Sequence, residues 1–128
     1  MAYPLMILCD TNIIIEFYKN NPSIINELKE IGQLNMAISV VTSGELIYGA
    51  INKRELNQIK KDLSHLNVLE IDSPICKGFL SLMEKYSLSH NLTLPDALIA
   101  ATAIHHDIKL YTLNQKDFRF IGDLQLYV

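Results

Sequence analysis

Four short apolar runs, separated by segments with helical spacing, are the feature that most limits how this 128-residue chain can fold. Leu5 to Cys9 is continuously apolar and Met36 to Val41 is β-branched at 38, 40 and 41, as expected of strands buried on both faces. Val68 to Ile71 and Lys109 to Thr112 read as a third and fourth strand, and Gln125 to Val128 as an edge strand. Helices are expected over 13 to 19, Ser23 to Ile31 with Gly32 as terminator, about 44 to 52, and Ser73 to about Ser87. A further amphipathic helix is marked by Leu56, Ile59, Leu63 and Leu66 at spacings of three, four and three. The last covers 96 to 106, with Pro95 at its start and many small residues.

Parallel strands need crossover connections, so strands alternating with helices imply a parallel sheet. The expected fold class is α/β: one domain over 1 to 128, with a mostly parallel sheet of four to five strands flanked by helices on both faces. In such sheets ligands bind outside the carboxyl ends of the strands.

Composition narrows the function. A chain of this length with 49% hydrophobic and 20% charged side chains suits one core and no second domain. Cys9 and Cys76 have apolar neighbours, no CxxC pattern and no histidine at ligand spacing, so both are expected as small core hydrophobes. No run approaches the roughly 18 uncharged apolar residues of a membrane helix. The apolar start, Met1 to Leu8, lacks the charged leader of a signal peptide, so the expected setting is cytoplasmic, away from any membrane. The net charge of -3 argues against the strongly basic footprint of most duplex-DNA binders.

Acidic residues recur just after the strands: Asp10 after the first, Glu45 after the second and Asp117 after the fourth. Asp96 opens the small-residue helix, where its carboxylate can face the same rim. Carboxylates gathered within about 4 to 6 Å repel one another unless a cation joins them. Oxygen ligands without sulfur or histidine select Mg2+ or Mn2+ over zinc. A cation so held activates water and neutralises charge on a phosphodiester, which is nuclease chemistry. Each acid also has a purely structural account: a helix cap for Asp10, a dipole partner for Glu45, a helix start for Asp96 and a turn former for Asp117. Thr11 and Ser43 carry hydroxyls beside the acids, where they can bind the carboxylates or merely cap helices. Lys116 and Arg119 flank the fourth acid and can hold phosphate, while Asn114 suits a water, a phosphate or a turn.

The blocks Leu8-Cys9-Asp10-Thr11-Asn12-Ile13-Ile14, Ser43-Gly44-Glu45-Leu46, Leu94-Pro95-Asp96-Ala97-Leu98-Ile99-Ala100-Ala101-Thr102-Ala103 and Tyr111-Thr112-Leu113-Asn114-Gln115-Lys116-Asp117-Phe118 span almost the whole chain. In this order and spacing they resemble a PIN-domain ribonuclease of the VapC toxin kind. The resemblance implies an acidic triad of Asp10, Glu45 and Asp96 around Mg2+ or Mn2+, with Asp117 as a fourth acid. It also implies cleavage of single-stranded or loop RNA, a homodimer, and a cognate antitoxin whose tail enters the active-site groove. Leu113 departs from the pattern, since family members often place Arg there; phosphate contact is then left to other cations.

Two other readings fit the same pattern. A receiver-like phospho-acceptor domain would need an acidic pair after strand one, and Asp72 would have to serve as acceptor. A catalytically silent relative would bind RNA or a partner without turnover. Phe17 and Tyr48, on helices after the first two strands, are expected in core or dimer packing, and none of His65, His90, His105 and His106 is expected as a general base. Setting the four site acids aside leaves ten acids against eleven bases, so the charge surplus does not exclude RNA.

Overall fold

The computed structural model describes residues 6 to 128. Strands β1 (Ile7–Cys9), β2 (Met36–Ser39), β3 (Asn67–Leu69) and β4 (Lys109–Tyr111) form one sheet in the order β3-β2-β1-β4, with every pairing parallel. The α/β expectation is met. Helices α1 (Thr11–Tyr18), α2 (Pro22–Ile31), α3 (Val40–Tyr48), α4 (Lys53–Leu63), α5 (Ser73–His90) and α6 (Leu94–His106) surround it.

Strand alternation divides the core. Ile7 and Cys9 of β1 join Met36 and Ile38 of β2 on one face, where Ile13, Ile24, Leu28 and Ile59 cover them from α1, α2 and α4. Leu8, Ala37 and Leu110 face the other side and meet Ala97, Ala100 and Ala103 of α6 together with Phe118. The alanines let α6 lie close to the sheet. Leu8 is fully buried, so Leu8→Ala would cost about 2 to 5 kcal/mol through lost transfer energy and a residual cavity.

Helices α5 and α6 form an antiparallel hairpin. Asn91 ends α5 in the left-handed conformation (φ 54°), and Thr93 caps α6, its hydroxyl accepting from the Asp96 N–H at 3.4 Å. At the far end His105 Nε2 lies 3.4 Å from an Asp72 carboxylate oxygen. Asp72 therefore sits nine residues of α6, about 13 Å, from Asp96. That separation removes the receiver-like reading, whose acceptor has to share a pocket with the acid after strand one.

Several boundaries differ from expectation for local reasons. The Ser39 side chain accepts from the Thr42 N–H at 3.1 Å, so β2 ends at Ser39 and α3 begins at Val40; neither Thr42 nor Ser43 is the cap. Likewise Asp72 caps α5, in place of Ser73, and the helix runs on to His90. Strand β3 starts at Asn67, whose side-chain amide donates to the Met36 carbonyl at 3.0 Å. The expected edge strand reduces to one parallel bridge, Leu110 to Leu126. Leu5, expected in the first strand, lies outside the described residues. Cys9 is buried as expected, but Cys76 is exposed and is no core residue. Tyr48 is 93% exposed and Phe17 44%, so neither belongs to the core of the chain. Among the described residues no helix is long and apolar enough to cross a membrane.

Candidate active site

The chain passes from β1 to β2 to β3 in one direction across the sheet, then returns to place β4 on the other side of β1. The loops after β1 and β4 diverge at this switch point and leave a crevice at the carboxyl ends of the two strands. Asp10 is the first residue after β1, and its N–H donates to the Tyr111 carbonyl at 2.9 Å, which ties it to the end of β4.

Asp10 is only 6% exposed. A buried carboxylate needs donors, and it has them. Oδ1 accepts from the Thr11 N–H at 2.7 Å, as a helix N-cap does, and Oδ2 accepts from Thr112 Oγ1 at 2.8 Å. Thr112 Oγ1 in turn accepts from the Asn114 N–H at 3.1 Å and from Asn12 Nδ2 at 3.4 Å, while Asn12 Oδ1 accepts from the Leu113 N–H at 3.3 Å. Asn12 therefore latches the loop after β4 to the start of α1.

Glu45 is reached through hydroxyls. Thr11 Oγ1 donates to Glu45 Oε1 at 2.7 Å and lies 3.0 Å from Thr42 Oγ1, which Ser39 Oγ approaches at 3.5 Å. A hydroxyl has one proton, so with Thr11 donating to Glu45, Thr42 is left to donate to Thr11. Glu45 itself is exposed.

The electrostatics join the four acids. Burial pushes the Asp10 carboxyl above the usual range, with Glu45 and Asp117 adding to the rise against the hydrogen bonds from Thr112 and Thr11. Burial, followed by the charge of Asp10 and smaller effects of Asp117 and Glu45, pushes Asp96 up to about 6. Asp10 and Asp96 thus lie in the field of the neighbouring carboxylates, and a bound cation would invert it. The donor chemistry, oxygen alone, fits a hard divalent ion. Among the described residues, no three His, Cys, Asp or Glu side chains stand together at ion-holding spacing. The fit is therefore one of chemistry and field.

The remaining expected residues divide. Thr11 binds a site carboxylate as expected, whereas Ser43 Oγ is buried without a hydrogen-bond partner and touches neither Glu45 nor Asp10. Asn114 contributes its backbone N–H to Thr112, the turn role. Lys116 and Asp117 are exposed on the 3-10 turn Gln115–Asp117. Asn12, Thr42 and Thr112 were not singled out in the sequence. The signal for Thr112 was available: it follows β4 as Asp10 follows β1. A groove of about 470 Å3 lined by Glu45, Ile15, Leu46 and Ile59 opens beside the rim. A second, of about 590 Å3, lies between α1, α2 and α4 away from the acids.

An oxygen-donor rim at the switch point of a four-stranded parallel sheet suits a hard divalent ion and an anionic substrate, and comparison with known proteins gives the class as nuclease. The PIN domain family model matches residues 7 to 123. Over 126 residues the chain is 31% identical to the tRNA(fMet)-specific endonuclease VapC of Shigella flexneri, covering 94% of this chain and 96% of that one. It is 33% identical over 131 residues to ribonuclease VapC1 of Haemophilus influenzae strain R2866, covering 92% and 93%. Among solved structures, VapBC-1 from nontypeable Haemophilus influenzae superposes with a TM-score of 0.80 at 30% identity over 95% of this chain and 96% of that one. DNA-bound VapBC from Salmonella typhimurium gives 0.85 at 26% identity over 99% and 98%. The chain belongs to the PIN-domain family, in its VapC-type branch of endoribonuclease toxins. Ribonucleases of this family generally depend on a divalent metal.

Proposed function

We propose that Asp10, Glu45, Asp96 and Asp117 form the catalytic carboxylate site of a Mg2+- or Mn2+-dependent endoribonuclease that cuts single-stranded or loop RNA in the cytoplasm. The observation that carries this reading is the field at the switch point: burial raises both Asp10 and Asp96, Glu45 and Asp117 add to the rise at both, and Asp10 adds to it at Asp96. Asp10 and Asp96 are the principal ligands, with Glu45 and Asp117 completing the site directly or through water. When bound, the cation supplies an activated water and neutralises charge on the phosphodiester. Within the protein, Thr112 and the Thr11 N–H hold Asp10 in place, Thr11 Oγ1 orients Glu45, and Lys116 is available to a flanking phosphate.

The toxin-antitoxin relatives support a cognate antitoxin protein as partner; a second copy of this chain in a homodimer is the further expectation that the family resemblance carries. The deciding experiment sequences RNA ends after induced expression, beside an Asp10→Ala control. A discrete cut absent from the control, with metal-dependent cleavage by the purified protein, is expected. Undiminished cleavage by folded Asp10→Ala and Asp96→Ala overturns the assignment.

A further inference from the structure

At the end of the α5/α6 hairpin nearest the acids stands an aromatic group that neither core claims in full. The His90 ring stacks on Phe120 with centroids 4.2 Å apart and planes 11° from parallel. Tyr86 meets both edge-on, at 5.6 Å from His90 and 5.1 Å from Phe120. His90 is exposed while Phe120 and Tyr86 are half-buried, so the stack has a fixed floor and an outer ring in water. Lys85 Nζ lies 5.5 Å from the Tyr86 ring centre, and Arg119, exposed, precedes Phe120.

Two short covalent links join this group to the acidic rim. Phe120 is three residues beyond Asp117, at most about 11 Å of chain. His90 is separated from α6, whose first turn carries Asp96, by only Asn91, Leu92 and Thr93. Helix hairpins can be closed by aliphatic packing alone, and Leu92, buried at 5%, already serves that purpose here. A flat, pre-stacked, solvent-facing ring with cations beside it is instead the surface on which unpaired bases lie, since every base has a π-face and its phosphate needs a positive neighbour.

We propose that the His90–Phe120 stack is a nucleobase platform that receives a base of single-stranded RNA flanking the scissile phosphate, with Lys85 and Arg119 holding the adjoining phosphates. The proposal rests on the RNA-cleaving reading above. His90 acts here as a substrate-contacting aromatic surface, with no part in proton transfer.

The test measures fluorescence-anisotropy binding of a labelled, unstructured twelve-nucleotide RNA to protein carrying Asp10→Asn, which prevents cutting. Adding His90→Ala is expected to weaken binding about tenfold, and His90→Phe to restore it. The melting temperature should fall by only a few degrees, the loss of one solvent-facing aromatic contact. Equal affinity with and without His90→Ala overturns the platform and leaves the nuclease assignment standing. Equal loss with His90→Ala and His90→Phe also overturns it, since stacking is then not what binds. No cleavage by the unsubstituted protein with either metal overturns the nuclease assignment, while the binding comparison still decides the platform. Absence of RNA binding altogether overturns the platform as well.

Discussion

The two halves of the acidic rim are built differently. Asp10 and Glu45 are wired: three donors fix them, Thr11 N–H and Thr112 Oγ1 on Asp10 and Thr11 Oγ1 on Glu45. The other two are held more lightly: Asp96 has only Thr93 beside it, whose hydroxyl accepts from the Asp96 N–H and lowers its carboxyl against the effect of burial, and Asp117 rides on an exposed 3-10 turn. The wired half is pre-positioned at the switch point, and on the proposed reading the loose half would be drawn in by the cation. This division accounts for a shared field without three carboxylates already at ion-holding spacing.

The largest effect expected is on the wired half. Asp10→Asn should lower cleavage by about a thousandfold and bring no gain in stability, because the Thr11 N–H and Thr112 Oγ1 donate to its two carboxylate oxygens and an amide has only one oxygen to accept with. Asp96→Asn should also remove most cleavage, yet raise the melting temperature of the chelated protein. The sign follows from linkage. An acid raised to about 6 in the folded state binds its proton more tightly there than when unfolded. Its charge therefore costs stability above that pH, and the chelated protein gains stability as pH falls through about 6. Each kcal/mol recovered corresponds to roughly 3 °C. A lowered melting temperature in folded Asp96→Asn would erase the contrast between the halves.

Smaller effects should grade the wiring itself. Thr112→Val removes the donor to Asp10 Oδ2 and is expected to weaken metal activation about 10- to 100-fold, read as a shift in the Mg2+ or Mn2+ midpoint of cleavage. Thr11→Val removes one hydrogen bond to an exposed Glu45, worth about 1 kcal/mol, so its midpoint should move about fivefold. Lys116→Ala should change cleavage least. Its mark is a salt-dependence slope reduced by about one, as expected for one lost phosphate contact.

Much of the fold was legible because its signals are local. Continuous apolar runs mark the doubly covered strands β1 and β2, and Gly32 ends α2 as its chemistry predicts, whereas Asn21 and Asn52, which cap α2 and α4, went unread and Asn52 fell inside an expected helix. The boundary at β2 misled because Val40 and Val41 favour strands, while the Ser39 cap, visible only as geometry, starts α3 at Val40, about four residues before the expected 44. Asp10, Glu45, Asp96 and Asp117 could be picked out by their places after strands and at a helix start. Their supports could not: Thr112 reaches Asp10 across 102 residues, and Asn12 reaches Leu113 across 101. Ser43 shows the converse error: two residues from Glu45 in sequence, its hydroxyl has no partner, while Thr42, one residue earlier, reaches the Thr11 hydroxyl that serves Glu45.

The pairing of β1 with β4 has a consequence for synthesis. The first strand and Asp10 leave the ribosome early, but Lys109–Tyr111, Thr112 and Asp117 belong to the last part of the chain. Chains grow from the N-terminus and long-range pairings form late. Until its final residues emerge, a nascent chain has neither the donor that seats Asp10 nor the fourth acid. A toxin whose proposed cutting site is stitched from segments a hundred residues apart would thus stay inert until the later segment has been made.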